Sequence, residues 1–354
     1  MAMLEKNIKE VSYVKQNDSK PLFTSDLILE LEDVLNVSNL DETNTGISVK
    51  ETEHLGITVS EVVISDTGEK RTGKKAGKYL SFHLPQQLND PQSVIDTIAT
   101  AIQRLVATPQ LYPNILVVGL GNQQVTPDAL GPLVVSHLNI TAHLPEQSSP
   151  TVSAFVPGVM GVTGMETEKL IKGVVEETKP SLVILIDALK ARHIERLNRT
   201  IQLTDTGIQP GSGVGQHRTS INHDYLGVPV VSIGIPTVVD AVTITYDAMM
   251  LLSQYFNQAQ QAVDAPRQRL FSGSLHVGDV SGQQALPKQQ AKKYFGLFGA
   301  LSDEDQRQLI TEVLTEEGRN LIVTQKSIDE DIDYLNRLLA EGITEYIKRA
   351  RSQF

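Results

Sequence analysis

Short apolar runs alternating with helical periodicity constrain this chain more than any other feature. NILVVGL (114–120), SLVILID (181–187) and VPVVSIGI (228–235) are nearly continuous in apolar residues, as strands buried on both faces are. PQSVIDTIATAIQRLV (91–106), a segment near PDALGPLVVSHL (127–138) and METEKLIKGVVEET (165–178) read as helices, and a further helix is expected to begin near Thr237. The alternation predicts an α/β fold: a mainly parallel central sheet with helices on both faces.

The flanks differ. ISVKETEHLGITVSEVVIS (47–65) alternates apolar and polar residues around a turn at Gly56, which predicts two antiparallel strands, and KYLSFHL (78–84) predicts a third. Between them DTGEKRTGKKAGK (66–78) is charged and glycine-rich and reads as a surface loop. Near the N-terminus SDLILELEDVL (25–35) fits a short helix capped by Ser25, with Leu27, Ile28, Leu31, Val34 and Leu35 near one stripe. At the other end DEDQRQLITEVLTEEG and SIDEDIDYLNRLLAEGITEYIKRA are helical. The expected division is an N-terminal β-rich elaboration over 27–90, an α/β core over 91–260, and a connecting loop with C-terminal helices over 261–354.

Composition removes several chemistries. The chain has 354 residues, no cysteine and a formal net charge of −11. Without cysteine there is no thiol nucleophile, disulfide or thiolate metal site. The negative charge disfavours direct binding to nucleic acid. No run reaches membrane-spanning length and the first residues have no apolar signal core, so no membrane partner and a cytoplasmic location are expected. His137, His143, His193, His217 and His223 form no tight ligand spacing, so neither a metal nor another cofactor is expected.

The segment ILVVGLGNQQVTPDALGP runs from an apolar strand through Gly119-Leu120-Gly121-Asn122 into a helix with Thr126 as its cap, Pro127 in its first turn and Asp128 after it. Asp187 closes the apolar run SLVILID in the same manner. Open α/β sheets place their sites beyond the carboxyl ends of the strands, which is where both carboxylates fall. Each alone has another use: Asp128 in balancing the helix macrodipole, Asp187 in capping a turn or pairing with Lys190 or Arg192. Together they supply an acid and a base, because two neighbouring carboxylates cannot both ionise easily. The glycines of GVMGVTGMET (Gly158, Gly161, Gly164) and PGSGVG (Gly211, Gly213, Gly215) match neither a P-loop nor a dinucleotide fingerprint and read as turns. In GIPTVVDAV, Thr237 is the expected helix cap and Asp240 the third helical residue.

VVGLGNQQVTPDALGPLVV, VPGVMGVTGMET, ILIDALKAR, IQLTDTGIQPGSGVG and IGIPTVVDAVTIT, in that order, resemble the core of the germination protease family of endospore-forming bacteria. The likeness extends to KAGKYLSFHL, FGLFGALSDEDQRQLI and GRNLIVTQKSID, and so covers most of the chain. The resemblance implies an atypical aspartic endopeptidase of the spore core that degrades small acid-soluble DNA-binding spore proteins, with Asp128 and Asp187 as catalytic residues. It also implies a homotetrameric zymogen that removes its own leader. FTSDLILE is similar to the family's processing site, which places the cut between Asp26 and Leu27 and makes residues 1–26 a propeptide. The GLGN-to-Asp arrangement also resembles hydrogenase maturation endopeptidases, which share the sheet and use that acidic position to sense nickel. A third reading is a noncatalytic nucleotide- or anion-binding α/β protein.

Overall fold

The structure, a computed structural model, describes residues 25–31, 46–84, 90–106, 112–144, 150–209, 219–264, 286–314 and 321–352. Residues 1–24 of the expected propeptide, Val34, Leu35, Gly211, Gly213, Gly215, His217 and most of the expected connecting loop lie outside them. One nine-stranded sheet organises the rest. β1 (Ile47–His54), β2 (Ile57–Ile64) and β3 (Gly77–His83) form an antiparallel meander. The expected turn joins the first two: Leu55 and Gly56 both have positive φ, of 51° and 77°, which suits the right-handed twist of a tight hairpin.

The meander is not separate from the α/β layer. β3 pairs antiparallel with β7 (Thr200–Thr204), and β7 with β8 (Val230–Asp240). From there β6 (Leu182–Ala191), β4 (Asn114–Gly119) and β5 (Thr151–Phe155) continue in parallel. β9 (Ile322–Val323) pairs with the end of β8. The sheet is therefore mixed, within the expected α/β fold with helices on both faces. The physical reason is that the polar–apolar hairpin strands share the sheet through β7 and add antiparallel neighbours to its parallel half.

Both faces are covered. Ile115, Val117, Ile184, Ile186, Ile233 and Ile235 join a core with α2 (Pro91–Leu105), α3 (Leu130–Ser136) and α10 (Ile328–Arg351). Their alternate neighbours Leu116, Val118, Val183 and Leu185 pack beneath α5 (Thr167–Thr178) and beside α6 (His223–Leu226). The two faces of the continuous apolar strands thus meet separate helical layers. α7 (Ala241–Asp264) and α9 (Asp303–Leu314) form a smaller contact through Val242, Tyr246 and Ile310, and α8 (Lys288–Phe295) precedes α9. No helix of the described residues is long and apolar enough to cross a membrane.

Four local expectations are overturned. Residues 66–72 of the supposed loop form α1 (Asp66–Thr72), capped by Ser65, whose Oγ accepts from Gly68 N. Its mid-helix glycine, which argued for a loop, is there because a Cβ on Gly68 would lie 2.6 Å from the carbonyl of Gly46. Residues 28–30 make only a 3₁₀ turn, and Ser25 does not cap it. Thr126 caps no helix: residues 126–128 form a 3₁₀ turn and α3 begins at Leu130. Thr237 is no cap either, because β8 continues to Asp240, held by β6 on one side and β9 on the other. Asp240 takes the capping role, accepting from Val242 N at 2.9 Å. Pro236 is tolerated inside β8 because its main chain faces Asn198, which donates to Pro236 O beyond the last β7–β8 pair, so its missing N–H breaks no β7–β8 ladder bond.

α10 is the helix that seals the first face, and it crosses α2 at Gly342, where a Cβ would come within 2.6 Å of Ile98. Alanine is worth about 1 kcal/mol over glycine in a helix, but overpacking a tight core costs about 1–3 kcal/mol. Gly342→Ala is therefore expected to lower the melting temperature by roughly 2 °C or more. A thermal melt that rises would show that the crossing has slack.

Candidate active site

The site forms where β4 ends. Leu120 N still donates to Ile186 O of β6 at 2.8 Å, and the chain then turns through Gly121 at φ 117°. Asn122 N donates to both the main-chain oxygen of Asp128 (3.0 Å) and its Oδ2 (2.8 Å), closing a loop of residues 122–128 on itself. The Asn122 side chain accepts from Gln124 N, and Thr237 Oγ1 donates to Pro127 O at 2.6 Å, tying the loop to β8. Glycine is demanded at three points here. A Cβ on Gly121 would stand 1.9 Å from Asp128 O, one on Gly119 2.3 Å from Gly131 O, and one on Gly131 2.3 Å from Leu120 O.

Asp187 does not end its strand, as the sequence suggested, since β6 runs on to Ala191. It does stand at the edge of the parallel layer: Gly119, the last residue of β4, pairs with Ile186, so Asp187 is the first residue of β6 beyond it. On the other side it pairs with Gly234 of β8. Its Oδ1 accepts from Ala188 N at 3.0 Å. Lys190 and Arg192, the alternative ion partners, face Asp240 and Asp247 instead.

The two carboxyls are electrostatically distinct. Burial pushes Asp128 up to about 6, against the pull of the Asn122 N–H. Asp187 is held well above the ordinary carboxylate range, first by burial and then by the negative charges of Asp128 and Asp26. Both carboxyls thus resist ionisation, Asp187 against the charge of Asp128 as well as against burial, which is the kind of asymmetry an acid–base pair needs.

The charge of Asp26 reaches Asp187 because residues 25–31 lie along β6. Asp26 N donates to Lys190 O (3.0 Å) and its Oδ2 accepts from Lys190 N (2.8 Å). Leu27 is buried among Leu189, Ala191, Leu197 and Val239. Glu30, fully buried, accepts from the main-chain amides of Arg192 (2.7 Å) and His193 (3.0 Å) and from Ser25 Oγ, and it faces Arg196. Lys74 Nζ donates to Ser25 O at 2.6 Å. Its ammonium is pushed down by burial while Asp26 and Glu30 support it. The segment on both sides of the Asp26–Leu27 bond is thus fixed against the strand that carries Asp187.

Of the remaining predicted positions, Gly158 and Gly164 take positive φ beside the short helix α4 (Met160–Thr163), as turn glycines do. His193 enters through its main-chain N–H, and His223 begins α6. Sequence reading missed Asn122, Lys74, Glu30 and Thr237. Asn122 was visible in GLGN, but Lys74 lay in a stretch read as loop and Glu30 in a helical stripe that does not form.

The comparisons with known proteins agree on one family. The family described as germination protease matches residues 24–353. The chain belongs to the germination protease family. Among similar proteins are the germination proteases of Halalkalibacterium halodurans, 40% identical over 93% of this chain and 94% of that one, and of Oceanobacillus iheyensis, 42% identical over 90% and 92%. That of Bacillus licheniformis is 42% identical over 87% and 88%. Membership makes the chain a peptidase, and the match begins within two residues of Asp26, so the germination protease family shares the segment that lies along β6.

The raised carboxyl of Asp128 has a stability consequence. The folded chain keeps a proton that the unfolded chain loses between its ordinary value of 3.8 and about 6, so folding stability from this group declines as pH rises through that window. Asp128→Asn removes the decline. The variant is expected to melt a few degrees above the parent at pH 7, with the gap closing by about pH 4. Equal melting points at both pH values would show that Asp128 sits in an ordinary, water-like setting.

Proposed function

We propose that this chain is an aspartate-dependent endopeptidase, made as a zymogen, that removes its own leader and then initiates the breakdown of small acid-soluble DNA-binding spore proteins during germination. The observation that carries the reading is the coupling of Asp187 to Asp128 at the mouth of the parallel strands, with the Asp26–Leu27 segment lying against the same strand. Ionised Asp128 takes a proton from water as its oxygen attacks the peptide carbonyl carbon. Protonated Asp187 hydrogen-bonds the developing oxyanion and supplies the proton that the departing amine requires. This needs no thiol, metal or other cofactor. Family membership supports the rest of the reading: a homotetrameric precursor in the cytoplasm of the forespore and spore core, with proteins and not nucleic acid or membrane as its partners.

The segment 25–31 supports Asp26–Leu27 as the processed bond. Asp26 N donates to Lys190 O and the Asp26 carboxylate accepts from Lys190 N, which holds the bond beside the strand that carries Asp187. Removal of residues 1–26 clears the Asp26 side of the groove.

Intact-mass spectrometry of the purified full-length chain tests the reading, alone and with small acid-soluble spore protein, beside Asp128→Asn and Asp187→Asn. The parent is expected to yield a form beginning at Leu27 and discrete substrate fragments, and each folded variant to lose at least about 10³-fold in rate. The rate should climb as pH rises through about 6, where Asp128 ionises, and fall again at higher pH as Asp187 loses its proton. Undiminished cleavage by both variants would falsify the assignment of the pair.

A further inference from the structure

Gln202 is a buried polar side chain that the mechanism above leaves without a role. It sits at the middle of β7, pairs with Gly234 of β8, and Gly234 in turn pairs with Asp187 of β6. Paired residues on neighbouring strands project to the same face. Gln202 and Asp187 therefore share one face of the sheet, with Gly234 between them and the Leu189 side chain lying over that glycine. Its neighbours Ile201 and Leu203 point to the opposite face, into the core beneath α2, α3 and α10.

What Gln202 touches is the segment across the Asp26–Leu27 bond. Its Nε2 donates to the carbonyl oxygen of Asp26 at 3.2 Å, and its Oε1 accepts from Ile28 N at 2.6 Å. Only this orientation of the amide matches a donor to the carbonyl and an acceptor to the N–H, so the contacts themselves fix which end is which. The carbonyl of Asp26 is the one that an attack at Asp26–Leu27 converts to an oxyanion. Lys74 on Ser25 O, the buried side chain of Leu27 and the amides holding Glu30 keep the backbone in register on either side of it.

We propose that Gln202 is a catalytic residue, its side-chain amide forming an oxyanion hole for the scissile carbonyl, first in leader removal and then on protein substrates. This rests on the reading of Asp26–Leu27 as the processed bond and of Asp128 and Asp187 as the acid–base pair. Water oxygen bonds to the Asp26 carbonyl carbon, one water proton passes to Asp128, and the carbonyl π electrons move onto oxygen, where Gln202 N–H and the Asp187 hydroxyl meet them. Collapse breaks the carbon–nitrogen bond, the leaving amine of Leu27 takes the Asp187 proton, and Asp26 ends as a carboxylic acid. Gln202 transfers no proton. It strengthens one hydrogen bond as charge develops, beside carboxyls that are partly withdrawn from water.

The acceptor end gives the amide a second duty. By fixing Ile28 N, Gln202 also positions the residue two places along from the cut, so the donor and acceptor ends must be separated experimentally. Gln202→Met removes both ends at similar volume. Gln202→Glu keeps an acceptor for Ile28 N and replaces the donor by a group that repels an oxyanion.

The experiment is the first-order rate of appearance of the form beginning at Leu27, followed by intact mass in the full-length parent, Gln202→Met, Gln202→Glu and Asp187→Asn. Melting temperature and circular dichroism establish that each is folded. The expected result is a loss of about 10²–10³-fold in both Gln202 variants. In enzyme already trimmed at Leu27 by a separately introduced protease site, the loss from Gln202→Glu should fall on kcat with KM within about threefold of the parent. Folded Gln202→Glu that processes at the parental rate overturns the oxyanion role and leaves the aspartate pair standing, provided Asp187→Asn is inactive. A parent that never cuts at Asp26–Leu27 overturns both. If neither Gln202 variant folds, Lys74→Met gives a second arm. It removes a contact to Ser25 O without touching the scissile carbonyl, so a loss of more than about 10²-fold there would assign the effect to general seating of the segment and overturn a special part for Gln202.

Discussion

The carboxyl end of β4 and the first turn of α3 meet backbone to backbone, and most of what is distinctive about this molecule depends on that contact. Gly119, Gly121 and Gly131 each face a main-chain atom where a Cβ would belong. A methyl group at any of them would push the 122–128 loop away from β6, and with it Asp128. The loop is held on the other side by Thr237, the extra residue of β8 at its register slip, which reaches Pro127 O. Bulges often re-aim a side chain beside a site. Here one residue of slip gives β8 a hydroxyl in the position that anchors the loop. The distance between the carboxyls, and therefore the separation of their protonation states, is set by packing at glycines that carry no chemistry themselves.

How much of this could be read in the residues follows from where the information lies. The apolar strands, the helices at 91–105 and 328–351, and the Leu55–Gly56 turn are local patterns, and they were legible. Asp128 and Asp187 stood out as candidates because each closes an apolar run in the sequence, although β6 continues past Asp187 and their proximity is a matter of three-dimensional register. Which strands join the two halves of the sheet was not legible, since nothing in KYLSFHL or TIQLT names its strand partner. The continuation of β8 past Pro236 was hidden by proline, which locally argues for an end. What rescues it is pairing on both sides with residues 190–191 and 322–323. Gly68 misled in the opposite direction, because a glycine chosen for close approach looks the same in sequence as one chosen for flexibility. Gln202 carried no local signal at all: a glutamine in a strand is ordinary until Gly234 and Asp187 are seen in the same row.

The segment 25–31 shows why a buried charge can be informative. An ionised carboxylate removed from water is costly unless its hydrogen-bonding capacity is met. Glu30 meets it with the two consecutive main-chain amides just past the end of β6, a hydroxyl from Ser25 and the guanidinium of Arg196. Those partners are one strand and the turn that follows it, so the carboxylate fixes position along β6 as well as contact with it. A shift by one residue would exchange the amides that Glu30 meets for carbonyls and turn Leu27 out of its apolar pocket. Register of this kind is strongly specified because the alternatives bury unsatisfied groups.

That specification bears on what a self-processing chain requires. On the proposed reading, a bond is cut only if its carbonyl is presented to the acid–base pair and held there, and tethering supplies the segment at an effective concentration that a free peptide does not reach. The anchors are unequal across the bond. Leu27, Ile28 and Glu30 lie on its C-terminal side with apolar burial and several hydrogen bonds, whereas Ser25 and Asp26 are held on the N-terminal side by Lys74 and Lys190. Cutting between them therefore frees the weaker side first and leaves the stronger side as part of the folded chain. On that reading the carboxylate of Asp26, which opposes ionisation of Asp187 while it is present, departs with the leader. Processing then changes the electrostatics of the pair as well as access to it: with one negative neighbour gone, Asp187 gives up its proton more readily. The basic limb of the trimmed enzyme's pH profile consequently belongs at lower pH than that of leader removal.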